Sequence, residues 1–100
     1  MRKKSFKEKV FAACKRIPAG KVSTYKKLAE EIGMPKAARA VGNALNKSPG
    51  MPAVPCHRVV KSNGVVGGFA SGTRKKIALL KKEGVTVAGG RVNLRLYEQF

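Results

Sequence analysis

Apolar side chains near the start of the chain recur at every third or fourth position, which is typical of an amphipathic helix. These positions are Phe6, Val10, Phe11, Cys14 and Ile17. Ser5 precedes the stretch and Glu8 follows three residues later, and serine and glutamate at this spacing form a capping box. The pattern therefore predicts a helix from about Phe6 to Arg16 whose apolar stripe faces a core. The Pro-Ala-Gly run after it predicts a turn.

Two more helical patterns follow, with a short turn between them. Ser23 or Thr24 can cap the first, which ends at a glycine. Pro35 suits the opening of the second, from about Lys36 to Asn46. A helix, a tight turn containing glycine and another helix together predict a helix-turn-helix unit over about residues 24–47.

The second of these helices is built of small side chains around one long basic residue. The small residues are Ala37, Ala38, Ala40, Gly42 and Ala44, and the basic residue is Arg39. Small residues let a helix backbone approach a narrow groove closely, whereas ordinary packing of alanines needs no ligand. Both interpretations stand, because one face of the helix can pack while the other docks.

Short β patterns follow in the second half of the chain. Val59-Val60 and Val65-Val66 flank Asn63-Gly64, which predicts a β-hairpin with a tight turn. A Gly-Gly turn predicts a second hairpin between residues 85 and 94. Between them, Thr73 or Ser71 can cap a helix of about 74–82.

The predicted fold class is mainly α with small β-hairpins, in the form of a winged-helix-like helix-turn-helix DNA-binding domain. One hundred residues are enough for one core, so we expect a single domain over residues 1–100. Its segments are the helix-turn-helix at about 24–47, a loop and hairpin at about 48–72, a helix at about 74–83, and a C-terminal hairpin and tail at 85–100.

The charge of the chain indicates a class of binding partner. Lys and Arg number 22 against 5 Asp and Glu, for a formal net charge of +17. A chain of this charge attracts polyanions, and nucleic acid is the first candidate because each neutralised phosphate releases condensed counterions. A solvated basic surface that only aids solubility is the alternative.

The cysteines and the length of the apolar runs indicate in which cellular compartment we expect the protein. The sequence has no apolar run of about 18 residues and no signal-peptide core, so we expect a soluble protein that is not exported. Cys14 and Cys56 lack the spacing of a zinc site or of a disulfide framework. We therefore expect two reduced thiols in the cytoplasm and no metal.

The candidate chemistry is concentrated between Pro55 and Val60, where Cys56, His57 and Arg58 are consecutive. A thiol is nucleophilic as its thiolate, so a Cys beside groups that take its proton or stabilise its charge is a candidate nucleophile. Adjacent residues on an extended chain point to opposite sides, so Cys56 and His57 could cooperate only through a turn or a bridging water. A buried Cys beside a surface His is the alternative.

The stretch from Pro55 to Val60 resembles the active-site signature of the DNA O6-alkylguanine alkyltransferases, the methylated-DNA-protein-cysteine methyltransferases. The likeness continues in further blocks that keep the family's order and cover roughly residues 6–84. They are Pro18 to Tyr25 with Leu28-Ala29, Pro35 to Gly42, Gly64 to Gly67, and Leu79-Leu80 with Glu83-Gly84.

The resemblance implies repair of O6-alkylguanine, mainly O6-methylguanine, by irreversible transfer of the alkyl group to Cys56, so that each molecule acts once and needs no cofactor. His57 would take the thiol proton through a bound water. Glu83 would orient the imidazole and favour its charged form.

It also implies binding of double-stranded DNA through the minor groove with the damaged base flipped out. Arg39 would fill the space that the base leaves, and Tyr25 would help to rotate the nucleotide. The implied DNA-binding residues are Tyr25, Ala37, Ala38, Arg39, Gly42 and Ser62. The implied pocket for the flipped guanine is lined by Ser48, Val59, Phe69, Ala70 and Ser71.

The chain departs from the family pattern at the pocket and at its N-terminal side. Ser48 stands where the family usually has an Asn that orders the loop beneath the Cys. Phe69 stands where the family mostly has an aromatic hydroxyl that bonds the departing O6, so we expect weaker transfer or stabilisation of the oxygen by the N–H of Ser71. The family's additional N-terminal domain is missing, which leaves open whether a partner or a fused domain takes its place. We expect a monomer.

Two rival functions remain open. One is an alkyltransferase-like protein that binds the lesion without transfer, a class that usually replaces the Cys by Trp. The other is a winged-helix transcriptional regulator, which would carry polar base-reading residues on the third helix, where residues 37–44 offer few.

Overall fold

The computed structural model describes residues 5–47, 54–67 and 72–98 of the chain. In these ranges most of the ordered backbone is helical, with two small sheets of two strands each. The elements are α1 (Phe6–Lys15), β1 (Ser23–Thr24), α2 (Tyr25–Glu31), α3 (Ala38–Asn46), a 3-10 turn (Cys56–Arg58), β2 (Val59–Val60), α4 (Thr73–Lys82), β3 (Val87–Ala88), β4 (Arg91–Val92) and α5 (Leu94–Tyr97). The predicted mainly helical fold with small β elements is confirmed.

Helix α1 begins with the predicted capping box. The Ser5 hydroxyl accepts a hydrogen bond from the Glu8 backbone N–H at 3.1 Å, and the Glu8 carboxylate accepts one from the Ser5 N–H at 3.3 Å. Val10 and Cys14 on its apolar stripe are fully buried. The capping signal therefore fixed the start of the helix, and the apolar period fixed the face that packs.

Thr24 caps α2, since its hydroxyl accepts a hydrogen bond from the Lys27 N–H at 3.0 Å. Helix α3 begins at Ala38 rather than at the predicted Lys36. The Ala37 N–H donates to the Met34 carbonyl at 2.9 Å in a tight turn, so the residues after the proline belong to the connection between the helices.

The predicted hairpin between Val59-Val60 and Val65-Val66 is wrong in its strand pairing. Val59 and Val60 instead pair in parallel with Ser23 and Thr24. Both valines have no exposed surface, and a strand buried on both faces is typical of a parallel pair rather than a half-exposed hairpin. The predicted turn itself forms, because the Gly64 N–H donates to the Lys61 carbonyl at 2.8 Å.

Gly64 is held in that turn by a second element. Its φ is +88°, its carbonyl accepts a hydrogen bond from the Val92 N–H at 2.8 Å, and a Cβ at this position would lie 2.6 Å from the Val92 carbonyl oxygen. Val65 next to it bridges Arg91 of β4. The turn after β2 is also closed by the Lys61 N–H, which donates to the Val65 carbonyl at 2.9 Å, and it joins the C-terminal sheet.

Helix α4 is capped at Gly72, with Thr73 as its first residue, and no side chain of the described residues bonds to that cap. The predicted Thr73 cap is therefore wrong, and the alternative, Ser71, lies outside the described residues. Gly84 follows the helix with φ of +90°, a conformation typical of a glycine just after a helix C-terminus.

The second predicted hairpin forms between β3 and β4. Val87 pairs with Val92 and Ala88 with Arg91, and Gly89 and Gly90 between them have φ of +58° and +74°. Positive φ at both positions is what the commonest two-residue hairpin turn requires, so the Gly-Gly signal was sufficient here. The predicted tail partly forms α5, and the Tyr97 carbonyl accepts a hydrogen bond from the Val22 N–H at 2.8 Å.

Two apolar clusters meet at β2. Helices α1 to α3 pack with Val54, Cys56 and Val59 in one cluster. The other cluster combines Val22, Val60, Val66, Leu80, Val85 and Val92. Because successive strand residues point to opposite faces, β2 contributes to both clusters. The 3-10 turn that precedes β2 is thus anchored from both sides.

Candidate active site and docking surface

Cys56 is the first residue of the 3-10 turn and lies against the helical cluster. The Cys56 N–H donates to the Val54 carbonyl at 2.9 Å, and the Arg58 N–H donates to the Pro55 carbonyl at 3.0 Å. This turn is what lets consecutive side chains serve one site. Cys56 keeps 7% of its surface exposed, whereas Cys14 keeps none, so Cys56 is the more accessible of the two thiols.

His57 is fully buried, and its Nε2 lies 2.9 Å from Oε1 of Glu83 at the end of α4. An ionised carboxylate only accepts hydrogen bonds, so Nε2 carries the proton and donates a hydrogen bond to Glu83. The other ring nitrogen, Nδ1, has no hydrogen-bond partner among the described residues. In the neutral imidazole this Nδ1 is left as a proton acceptor in the residue next to Cys56.

Arg58 completes the cluster by holding Glu83 from the other side. Its Nε and Nη2 donate to the two Glu83 carboxylate oxygens at 2.9 and 2.5 Å, and its Nη1 donates to the Ile17 carbonyl at 2.8 Å. The two hydrogen bonds from Arg58 fix the plane of the Glu83 carboxylate. The third hydrogen bond connects Arg58 to the segment after α1. An acid at the negative end of α4 is thereby compensated.

Burial decides the charge state of His57. Desolvation lowers the pKa of His57 below its ordinary 6.5, although the hydrogen bond and the charge of Glu83 act to raise it. Glu83 therefore acts to favour the charged imidazole, as the resemblance implies, but the desolvation of a fully buried ring outweighs this one carboxylate. His57 is neutral at pH 7 and available as a base.

The carboxylate of Glu83 is held in its charged form. Burial acts to raise the pKa of Glu83, but hydrogen bonds from Arg58 and His57 outweigh it and bring the pKa below its ordinary value. An ionised Glu83 is consistent with a proton on His57 Nε2. The two pKa shifts therefore support the same tautomer.

Lys76 of α4 is the unexpected member of the site. It has no exposed surface, its Nζ lies 3.3 Å from the Tyr25 hydroxyl, and the ammonium sits 5.6 Å from the centre of the Tyr25 ring. Burial lowers its pKa to about 8, against the opposing influence of Cys56 and Cys14. A cation is thus buried on the helix that packs against the turn carrying Cys56.

A shallow depression on the surface gathers most of the predicted DNA-binding residues. Its lining is Tyr25, Lys26, Ala38, Arg39, Gly42, Lys61, Ser62 and Asn63. Ala37 does not line it, because this residue precedes α3 and packs against the helical cluster. We call the lining residues the docking surface. It combines the start of α2, one face of α3 and the turn after β2.

Tyr25 connects the docking surface to the buried site. A Cβ on Gly42 would lie 3.7 Å from the Tyr25 ring, so the ring packs next to this glycine. Burial and the nearby Cys56 and Cys14 raise the pKa of Tyr25. Its ring therefore faces the depression while its hydroxyl reaches toward Lys76.

Several predicted pocket residues fall outside the described part of the chain. They are Ser48, Phe69, Ala70 and Ser71. Val59 is described, and its side chain is fully buried in the helical cluster. The role of Val59 in lining the pocket stays a prediction.

Sequence reasoning assigned no role to Arg58 or Lys76. For Arg58 a signal was present, since a lone acid at the end of a helix needs a cation and Arg58 belongs to the Cys-His motif. For Lys76 the signal was periodicity, because it lies four residues before the buried Leu80 on the same face of α4. A lysine is expected in solvent, so its inward position was not predicted.

Two features are not found in the described ranges. No group of three or more His, Cys, Asp or Glu is arranged there to hold a metal ion. No helix of these ranges has the length and apolar character needed to cross a membrane.

Comparisons with known proteins show which family this chain is similar to. The model of the family described as 6-O-methylguanine DNA methyltransferase, DNA binding domain, matches residues 5–85. The methylated-DNA--protein-cysteine methyltransferase of Methanosarcina acetivorans is 51% identical over 79 residues, which are 79% of this chain and 51% of that protein. The chain thus spans about half the length of the curated relatives it matches.

Solved structures extend the likeness to the fold. The structure of S. pombe Atl1 in complex with damaged DNA containing O6-carboxymethylguanine has a TM-score of 0.88 and 35% identity, and covers 100% of this chain and 99% of that one. Mycobacterium tuberculosis OGT in complex with DNA has a TM-score of 0.77 and 41% identity, and covers 83% of this chain and 51% of that one. The predicted helix-turn-helix fold is confirmed by these neighbours. Since its family model covers most of the sequence, this chain belongs to the family of the 6-O-methylguanine DNA methyltransferase DNA-binding domain.

Proposed function

We propose that this protein repairs O6-alkylguanine in DNA by moving the alkyl group onto its own Cys56. The observation that carries the proposal is the buried pair of His57 and Glu83, which leaves a neutral imidazole with an acceptor nitrogen in the residue next to the thiol. The curated relatives are named as methyltransferases of this type, and the family model matches the part of the chain that holds the pair.

The proposed reaction begins with proton transfer from the Cys56 thiol to His57 Nδ1 through a water molecule. The thiolate then attacks the alkyl carbon in line. The S–C bond forms as the C–O6 bond breaks, and the electron pair stays on guanine O6. The proton held by His57 returns through solvent to the guanine, so charge balances. A thioether has no good leaving group, so each molecule reacts once.

Glu83 and Arg58 hold the base in position during this sequence. Glu83 accepts a hydrogen bond from the Nε2–H, which fixes the tautomer and stabilises the imidazolium that forms when Nδ1 gains a proton. Arg58 fixes Glu83 with two hydrogen bonds. None of these groups needs to move, which keeps the reorganisation energy of the proton transfer low.

The docking surface would bind the minor groove of double-stranded DNA. A base in a duplex is out of reach of any side chain, so the nucleotide must rotate out, at a cost of a few kcal/mol in lost stacking. Arg39 is exposed on α3 and would fill the gap, and Tyr25 would crowd the rotating nucleotide. Small residues on α3 allow the backbone close to the groove. Phosphate contacts from the basic surface would supply most of the affinity.

The remaining parts of the proposal concern the pocket, the assembly and the compartment. Phe69 cannot donate a hydrogen bond to the departing O6, so the N–H of Ser71 would stabilise that oxygen. The protein would act as a monomer on DNA. A reduced Cys56 is required for the reaction, which agrees with the cytoplasmic location predicted from the sequence.

Intact-protein mass spectrometry after incubation with duplex DNA containing O6-methylguanine tests the proposal. We expect a gain equal to one methylene group in mass, confined to the tryptic peptide that contains Cys56, with one equivalent transferred per protein. Cys56→Ala should bind the same DNA but gain no mass. Binding of the lesion by the unaltered protein with no mass gain would refute transfer.

A second candidate function is binding of the lesion without transfer. It is favoured by one observation, the end-to-end match to Atl1, whose solved structure holds DNA with O6-carboxymethylguanine. The retained Cys56, with His57 and Glu83 in contact beside it, supports transfer instead. The same mass measurement separates the two functions, because only one of them changes the protein covalently.

A further inference from the structure

The turn after β2 carries a lysine to which neither the resemblance nor the proposed reaction gives a role. Lys61 follows β2 directly and precedes Ser62, the residue of this turn that the resemblance assigns to DNA binding. Its side chain is exposed and lines the docking surface together with residues of α2 and α3. Charge alone does not distinguish it from the other exposed lysines of this basic chain, but its position does.

Hydrogen bonds within the turn fix the backbone of Lys61. Its N–H donates to the Val65 carbonyl at 2.9 Å, and its own carbonyl accepts a hydrogen bond from the Gly64 N–H at 2.8 Å. The side-chain oxygen of Asn63 accepts a hydrogen bond from the Val65 N–H at 3.1 Å. Both backbone groups of Lys61 are thus used inside a tight turn, and the strand before it is buried. The fold therefore sets the direction in which the Lys61 side chain leaves the backbone.

The aliphatic stem of Lys61 runs past Gly67 on the side of Tyr25. A Cβ on Gly67 would lie 3.6 Å from Cγ and 3.7 Å from Cε of Lys61, and 3.8 Å from the hydroxyl oxygen of Tyr25. One point beside the Gly67 backbone is therefore within van der Waals distance of both side chains. Since Gly67 has no side chain of its own, it leaves the space between them open. The ammonium of Lys61, one bond beyond Cε, lies in the neighbourhood of the Tyr25 hydroxyl.

The charge of Lys61 is available to an anion. Among the described residues, no acid lies within ion-pair distance of it. Binding of a phosphate would therefore break no existing ion pair. Lysine is a compact charge with three rotatable donors, which suits a phosphate oxygen. Lys26 and Arg39 line the same depression from α2 and α3, so basic side chains from three elements surround it.

We propose that Lys61 is a further DNA-binding residue, whose ammonium binds the backbone phosphate of the nucleotide that rotates past Tyr25. This role deepens the proposed function and rests on it. When Tyr25 crowds the rotating nucleotide, the phosphate comes beside the Tyr25 hydroxyl, where Lys61 supplies a positive charge. A nucleotide that stays stacked in the duplex does not bring its phosphate to this place. Lys61 therefore stabilises the flipped state more than the complex with undamaged DNA, and shifts the equilibrium between them.

Lys61→Met tests this role, because methionine keeps most of the stem beside Gly67 and removes the charge. Lys9→Met is the matched control. Lys9 is exposed on α1 and lines a separate depression, so the net charge falls by the same amount away from the docking surface. Both variants should keep the melting temperature of the unaltered protein to within about 3 °C, because substitutions of exposed residues change stability little.

The first measurement is the salt dependence of DNA binding in the Cys56→Ala background, which excludes alkyl transfer. Each phosphate contact contributes about 0.9 to the slope of the logarithm of the binding constant against the logarithm of the salt concentration. With duplex DNA containing O6-methylguanine, Lys61→Met should reduce this slope by about 0.9 in magnitude. With undamaged duplex DNA of the same sequence it should change the slope much less. Lys9→Met should affect both slopes equally or not at all.

The second measurement is single-turnover transfer at saturating protein, with Cys56 intact. Lys61→Met should lower the rate on O6-methylguanine in duplex DNA by about tenfold, the equivalent of one charge-assisted hydrogen bond. On the same base in single-stranded DNA, which requires no unpairing, the loss should be less than about twofold. Lys61→Arg should restore most of the duplex rate, because it restores the charge.

Equal changes of slope on damaged and undamaged DNA would overturn the proposal, because Lys61 would then be an ordinary phosphate contact. A duplex transfer rate that falls no further in Lys61→Met than in Lys9→Met would overturn it as well. Failure of the proposed function has a different signature. The unaltered protein would then bind the lesion without gaining mass, while a difference between the two salt slopes would still establish the role of Lys61 in binding.

Discussion

The charged residues of the buried site and those of the docking surface differ in their exposure to water and in their partners. At the site, His57, Arg58 and Glu83 are largely removed from water and meet at distances below 3 Å. On the docking surface, Arg39 and Lys61 are exposed and face a shallow depression. Buried charges need fixed partners, whereas exposed charges that bind phosphates need only to be present. The site is therefore sensitive to single atoms, and the docking surface to overall charge and shape.

The largest effect is expected from Glu83→Gln, which removes the charge partner of Arg58. Side chains in this pair are 11% and 14% exposed, so we expect the free energy of unfolding to fall by about 3 kcal/mol. The matched control is Glu31→Gln, because Glu31 and Arg16 form a pair at 3.0 Å with side chains 37% and 59% exposed. That change should cost less than about 1 kcal/mol. Urea denaturation measures both, and equal losses would remove the distinction between the two kinds of charge.

Acid should weaken the fold through the same pair. The pKa of Glu83 is lowered in the folded protein, so its contribution to stability is present above its unfolded value near 4.5 and is lost as the pH falls through the folded value. The pKa of His57 is also lowered in the folded protein. As the pH falls below about 6.5, His57 therefore gains a proton in the unfolded chain before it does so in the folded protein. Both effects reduce stability toward low pH. In Glu83→Gln, the loss of stability below about pH 4.5 should be smaller than in the unaltered protein. Thermal melts across this pH range would measure the difference.

A smaller effect, confined to DNA, is expected from Arg39→Ala. Arg39 is exposed, so its loss should change the free energy of unfolding by less than about 0.5 kcal/mol. Repair of O6-methylguanine in duplex DNA should fall much more than repair of the same base where it is already unpaired, because only the duplex leaves a gap to fill. Single-turnover rates on the two substrates make the comparison. Equal losses on both would contradict the role of Arg39 in filling the gap.

The smallest effect is expected from Gly42→Ala. The new Cβ would lie 3.7 Å from the Tyr25 ring, an ordinary contact, and alanine favours a helix over glycine by about 1 kcal/mol. We expect a slightly more stable protein that binds duplex DNA severalfold more weakly, because the added methyl group stands in the docking surface. Gly64→Ala offers the contrast, since its Cβ would lie 2.6 Å from the Val92 carbonyl and should destabilise the fold. Unchanged DNA affinity in Gly42→Ala would show that α3 does not approach the groove at this point.

The sequence by itself determined the parts that depend on neighbours along the chain. The capping box at Ser5, the cap at Thr24 and the Gly-Gly hairpin turn are local signals, and each forms as predicted. The likeness of the Cys-His motif to a known family also located the candidate nucleophile. Interactions over three or four residues are encoded in the order of the residues, so they can be recognised without the fold.

Only the tertiary structure decided the partners that come from distant segments. Val59 and Val60 do not pair within the expected hairpin. They pair in parallel with residues 36 positions earlier in the chain, because both faces of this strand are covered by the core. Arg58 bonds to Glu83, which is 25 residues away in the sequence. Lys76 is buried beside Tyr25, which is 51 residues away. Burial then set the neutral state of His57, which no local pattern could give. Desolvation depends on everything packed around a group, and that is fixed only when the whole chain has folded.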